Sequence, residues 1–156
     1  MIVSTALVAA STNTTDLRRR RTRAQAQQLT RRAKLLDPPD RRLIEDMFDA
    51  GRPCSTIAAE LGTDPRALRR RARRITTRML DPRFDFVAAQ AESWRPTRRR
   101  VANWHYIKGK SLRVIARELG MSLYSVRRHR DAVEAMFELA QETGRAAPNQ
   151  RDRRGD

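Results

Sequence analysis

One stretch of this chain occurs twice. Glu-Leu-Gly stands at Glu60-Leu61-Gly62 and again at Glu118-Leu119-Gly120. Sliding 38–75 onto 96–133 without gaps, an offset of 58 positions, also aligns Pro38 with Pro96, Arg41-Arg42 with Arg99-Arg100 and Gly51 with Gly109. Ile57-Ala58 then falls on Ile115-Ala116, and Arg69-Arg70 on Arg127-Arg128; where identity fails chemistry mostly holds, Leu43 facing Val101 and Leu68 facing Val126. Glycines and apolar positions that stay in register together define two copies of one small folding unit. At about 40 residues each copy is near the size where an independent core becomes marginal, so mutual packing of the copies is an expectation.

The pattern inside each copy is three helices and tight turns, and the fold class expected is all-α. In the first copy 40–50 is apolar at helical spacing through Leu43, Ile44, Met47 and Phe48, and Gly51 ends it by accepting a left-handed backbone. A second helix runs from about Cys54 to Leu61, with Ile57, Ala58 and Leu61 on one face. Gly62-Thr63-Asp64 turns the chain, Asp64 caps a third helix, and Pro65 takes its first position, where a missing amide hydrogen costs least. The second copy replays this: Val101, Trp104, His105 and Ile107 on a first helix, a stop at Gly109, a cap at Ser111, a helix from Leu112 to Leu119, then Gly120-Met121-Ser122 with Ser122 as the next cap.

Small residues sit where two helices would cross closely: Ala58 with Gly62, and Ala116 with Gly120. Each alanine follows an isoleucine, each glycine follows a leucine, and an apolar residue, Leu68 or Val126, comes six after the glycine. In these positions the chain resembles the helix-turn-helix units of the fourth region of bacterial sigma factors and of LuxR-type DNA-binding domains. Ser125-Val126-Arg127-Arg128-His129-Arg130-Asp131-Ala132-Val133 is similar to the LuxR-type recognition helix, while the first copy, with Arg71 in the place of His129, is closer to the sigma-factor pattern. The resemblance covers roughly half of the chain. It implies two tandem trihelical helix-turn-helix units, each placing its third helix in a DNA groove. The promoter-melting region of a sigma factor and the receiver or ligand domain of a LuxR-type protein have no counterpart here.

Composition points the same way. The formal net charge is +16 on 156 residues, carried almost wholly by arginine, with lysine only at Lys34, Lys108 and Lys110. A field of that sign attracts polyanions, and the guanidinium fork suits phosphate and the guanine edge. Codon bias can enrich arginine without function, but it does not explain why arginines crowd the third helices. On the first of these, Leu68, Ala72 and Ile75 recur at helical spacing and face a core, leaving Arg66, Arg69, Arg70 and Arg73 outward. On the second, Val126, Val133, Met136 and Phe137 mark the buried side, so Tyr124, Ser125, Arg127, Arg128 and Asp131 face out. The DNA-binding candidates are Arg66, Ala67, Arg69, Arg70, Arg73, Tyr124, Ser125, Arg127 and Arg128, those near a helix start reaching bases and later cations meeting phosphate.

Other residues have plainer roles. His129 lies at a core boundary and His105 among Trp104, Tyr106 and Ile107, where packing is expected. Cys54 is the single cysteine, so neither a disulfide framework nor a cysteine-based zinc site is expected. There is no Gly-rich phosphate loop, His-Glu metal motif or Gly-x-Ser-x-Gly elbow, and the reading is of a protein that is not an enzyme and needs no cofactor or metal. The acidic residues read as helix caps or as partners of arginine one turn away, such as Asp37 with Arg41.

The chain divides into an N-terminal segment and basic arm (1–36), a first unit (37–80), a linker helix (81–95), a second unit (96–142) and a disordered tail (143–156). Met1 to Ala10 is apolar but too short to span a bilayer and lacks a basic leader before it. Arg18 to Arg23 leads into a helical stripe of Leu29, Ala33 and Leu36, a basic arm that either lies along DNA or stays solvated. Asp81-Pro82 opens the linker helix with Phe84, Phe86 and Val87, expected to pack between the units. The third helix of the second unit continues to about Gln141 with apolar surface to spare, for the linker helix or another subunit. The function expected is a sequence-specific regulator of transcription that binds double-stranded DNA in the cytoplasm, at the nucleoid. The alternatives are a sigma-like adaptor with one unit on RNA polymerase or another transcription protein, and an accessory DNA-packing or recombination protein.

Overall fold

The computed structural model describes residues 22–146, and among the described residues every regular element is helical. They belong to two compact units, one ending at Leu80 and the other starting at Asp81.

The first unit contains α1 (22–33), α2 (Pro38–Phe48), α3 (Cys54–Glu60) and α4 (Pro65–Leu80). Leu29, Ala33 and Leu36, the stripe of the expected arm, are all buried, so α1 belongs to the core of this unit. Arginines fasten its C-terminal end. Arg41 donates to the carbonyl oxygens of Lys34 (2.8 Å) and Leu36 (3.3 Å), just beyond α1, and Arg32 donates to the carbonyl of Met79 in the last turn of α4. Cations there satisfy carbonyls that have no partner within their own helix. Arg18 to Arg21, Met1 to Ala10 and the tail from 147 lie outside the described residues.

The second unit contains α5 (Pro82–Gln90), a short 3₁₀ turn (Ala91–Ser93), α6 (Pro96–Ala102) running into a π turn (Asn103–Ile107), α7 (Leu112–Leu119) and α8 (Leu123–Ala146). Asp81 caps α5 by accepting from the Arg83 amide at 2.9 Å, and Phe84 and Val87 are buried within this unit. Part of the apolar surplus on α8 docks on α5, while Leu139 stays exposed: Phe137 meets Phe86 edge-on at 5.4 Å, beneath the Arg83 guanidinium at 4.9 Å from the Phe137 ring. Where a continuous helix was expected through Ile107, the π turn widens the last turn and brings Tyr106 and Ile107 into the core, leaving Trp104 and His105 half-buried. Helix α8 also continues into the expected tail, as far as Ala146, with the Thr143 hydroxyl bonded back to the Leu139 carbonyl at 2.8 Å.

A polar hub ties α5, the π turn and α8 together. Glu134 accepts from the Tyr106 hydroxyl at 2.6 Å and from Arg83 Nε at 2.7 Å. Burial pushes the Glu134 carboxyl up, but these two bonds and the Arg83 charge outweigh it and hold the group below its ordinary value. The Tyr106 phenol is pushed up, first by burial and then by its bond to the carboxylate.

Burial repeats at the same offset of 58, and over a longer stretch than identity does. Leu29 and Val87, Ala33 and Ala91, Leu43 and Val101, Ile57 and Ile115, Leu68 and Val126, Ile75 and Val133, and Met79 and Phe137 are buried in pairs. The repeated unit therefore has four helical segments and starts at α1 and α5. The turns repeat in detail. Gly62 (φ +61) and Gly120 (φ +62) hold the left-handed conformation. Thr63 N–H bonds Ala58 O at 2.9 Å and Gly62 N–H bonds Ala59 O at 3.3 Å; Met121 bonds Ala116 at 2.9 Å and Gly120 bonds Arg117 at 3.4 Å. Both are Schellman motifs, which require a positive φ at the glycine. An ion pair recurs beside each turn, Arg52 with Glu60 and Lys110 with Glu118 (2.6 Å).

Candidate nucleic-acid interface

Each glycine turn delivers the chain into a long capped helix. Asp64 accepts from the amides of Ala67 (2.9 Å) and Arg66 (3.3 Å) at the start of α4, and Ser122 Oγ accepts from the Ser125 amide at 3.1 Å at the start of α8. The caps hold these first turns, where the candidate residues begin, in fixed helical geometry.

On α4 the side buried against the unit is Leu68, Ala72, Ile75 and Met79. Arg66, Ala67, Arg69, Arg70 and Arg73 are all exposed, at spacings that put the four arginines on one face. Among the described residues none of these four arginines is ion-paired. Arg71 and Arg78 behave differently: both turn to Asp40 on α2, at 2.6 Å and 3.6 Å. The arginines of one helix thus divide into two that brace the unit and a set that meets only solvent. Arg74 belongs with the exposed set and was missed; its place one turn after Arg70 was the available signal.

On α8 the arrangement is less uniform. Tyr124 is 69% exposed, a high value for an aromatic side chain, and the Arg128 guanidinium lies 5.9 Å from its ring. Arg127 is exposed, while Ser125, expected outward, is half-buried, its hydroxyl 3.0 Å from that of Ser122. Asp131 is exposed and holds Arg130 at 2.7 Å. His129 is half-buried, and burial, then the Arg98 and Arg128 charges, push its pKa down, so at neutral pH it packs as an uncharged ring.

Among the described residues no cluster of His, Cys, Asp or Glu could hold a metal, and no helix is long and apolar enough to cross a membrane. Set against protein-family models, curated proteins and solved structures, the chain gives no match.

Proposed function

We propose that this protein is a sequence-specific double-stranded-DNA-binding regulator of transcription, acting at the nucleoid through two helix-turn-helix modules, α3 with α4 and α7 with α8. The observation that carries the reading is the exposed arginine face of α4: cations without carboxylate partners, on a capped helix that follows a tight glycine turn. An ion-paired arginine contributes little to a distant polyanion, whereas these retain their full charge for phosphate. The same turn and cap precede α8, whose tyrosine, serine and arginines offer a more varied hydrogen-bonding surface.

Affinity selection of random duplex DNA by the purified protein, at roughly 0.15 M salt where phosphate-only binding is weakened, tests the proposal. The expected outcome is a bipartite, non-palindromic motif. Strong retention without any motif would replace it with the DNA-packing role. The adaptor reading, with one module on RNA polymerase or another transcription protein, is favoured by the unequal faces of α4 and α8. A single compact motif that survives loss of one unit's arginines but not of the other's would select it.

A further inference from the structure

In the second unit a tryptophan covers the core. Trp104 packs on the buried cluster of Val101, Ile115, Ala116 and Val126. Its ring lies 4.1 Å from Lys110 Nζ and 5.7 Å from the Arg100 guanidinium carbon. Leu112, Met121 and Leu123 pack against the same cluster.

In the first unit that cover is missing. At the offset of 58, Trp104 corresponds to Asp46, Leu112 to Cys54, Met121 to Thr63 and Leu123 to Pro65, each smaller or more polar. A groove of about 490 Å³ stands there, floored by Leu43, Ile57 and Leu68, the counterparts of Val101, Ile115 and Val126. Leu61 on its wall is 60% exposed, whereas its counterpart Leu119 is half-buried. Of the two cations that flank the indole, Arg100 has its counterpart Arg42 on the groove wall, while Lys110 corresponds to Arg52, which pairs with Glu60 and, at 3.6 Å, with Asp46 at the rim.

We propose that this groove is a docking site for a tryptophan side chain presented by another polypeptide. The floor matches the apolar body of an indole. Arg42 on the groove wall matches its electron-rich face, as Arg100 does in the second unit. The Asp46 carboxylate matches its N–H, the one polar group an indole must satisfy. This charge and shape complementarity is written into the molecule's own second copy. Residues 1–21 carry no aromatic side chain, and Trp104 and Trp94 are engaged within the second unit, the latter with Phe86 at 5.8 Å. The proposal is independent of nucleic-acid binding.

The test is an NMR titration of the full chain with N-acetyl-tryptophanamide, with N-acetyl-leucinamide as the comparison. Saturable shifts of the Leu43, Ile57, Leu61 and Leu68 methyls are expected, with a dissociation constant on the order of 1 mM, as suits a ligand of this size. Asp46→Trp, which supplies the missing indole from within, should abolish them. Leu61→Gln, at an exposed position that the fold does not need, should weaken binding about fivefold or more. Non-saturable shifts, or equal shifts with leucinamide, would overturn the proposal. So would self-association of the free protein in sedimentation that Asp46→Trp removes, because the groove would then belong to a second copy.

Discussion

Replacing Tyr106 by phenylalanine removes one hydroxyl from the hub on Glu134 and leaves every apolar contact of the ring in place. The phenol is in a residue only 8% exposed and donates at 2.6 Å to a carboxylate that Arg83 also holds. Hydrogen bonds to charged groups contribute about 1.5–3 kcal/mol, and the Glu134 side chain is 28% exposed, so the lower half of that range applies, about 1.5–2 kcal/mol. For a unit of this size the corresponding fall in the unfolding midpoint is roughly 6–15 °C. The loss should depend on pH. The folded carboxyl is held below its unfolded value, so its contribution is complete above the unfolded glutamate pKa, about 4.3, and fades as pH falls through the folded value. Urea unfolding of Tyr106→Phe and Glu134→Gln, singly and together, at pH 7 and at pH 3 measures this. Equal costs for Tyr106→Phe at both pH values, or a coupling between the two substitutions below about 0.3 kcal/mol at pH 7, would refute the hub.

Three further outcomes are expected. Gly62→Ala and Gly120→Ala each meet open space, so only backbone strain opposes them: about 1–2 kcal/mol for the left-handed conformation, offset by about 0.4–1 kcal/mol from a less flexible unfolded chain. A net loss of about 0.5–1.5 kcal/mol should appear in thermal unfolding, with a smaller one for asparagine. Asp40→Ala should destabilise the first unit by about 1–3 kcal/mol in urea, because it takes the carboxylate from Arg71 and from the half-buried Arg78. Arg69→Ala combined with Arg70→Ala should lower the slope of log affinity against log salt by about 2 if both meet phosphate, read by fluorescence anisotropy on duplex DNA.

Much of the fold was legible because it depends on residues with local meaning. Gly51 adopts the left-handed conformation expected of it, Gly109 does so at its expected stop, Gly62 and Gly120 take the same conformation in the expected turns, and Asp64, Ser111 and Ser122 all cap the helices they precede. The extent of the repeat was not legible. Between 22–37 and 80–95 only Ala33 and Ala91 are identical, and what persists is burial, a property of packing rather than of residue type. That is why α1 reads as a charged arm: its arginines are conspicuous, and the three residues that seat it are ordinary. The π turn was equally hidden, because the bond from Lys108 N–H to Asn103 O depends on where the following glycine redirects the chain, not on the turn's own residues. Among the candidate interface residues, outward placement followed from helical period for all but the half-buried Ser125, but the division of arginines into bracing and free depended on Asp40, far away in sequence.

The two outward faces share a centre and differ at their edges, and this sets the last prediction. Arg69 and Arg70 correspond to Arg127 and Arg128, whereas Arg66, Ala67 and Arg73 correspond to Tyr124, Ser125 and Asp131. Arginine offers donors alone, and donors find acceptors on phosphate at any sequence. Tyrosine, serine and aspartate also offer acceptors, which can pair with the amino groups of adenine and cytosine, and Asp131 repels phosphate, which penalises binding that ignores the bases. On the proposed reading α4 supplies affinity and α8 supplies most of the discrimination. Repeating the duplex selection with Tyr124→Ala should flatten base preference in one half of the motif, while Arg66→Ala should weaken retention and leave the preferences in place. Equal changes in base preference from both variants would remove this division of labour.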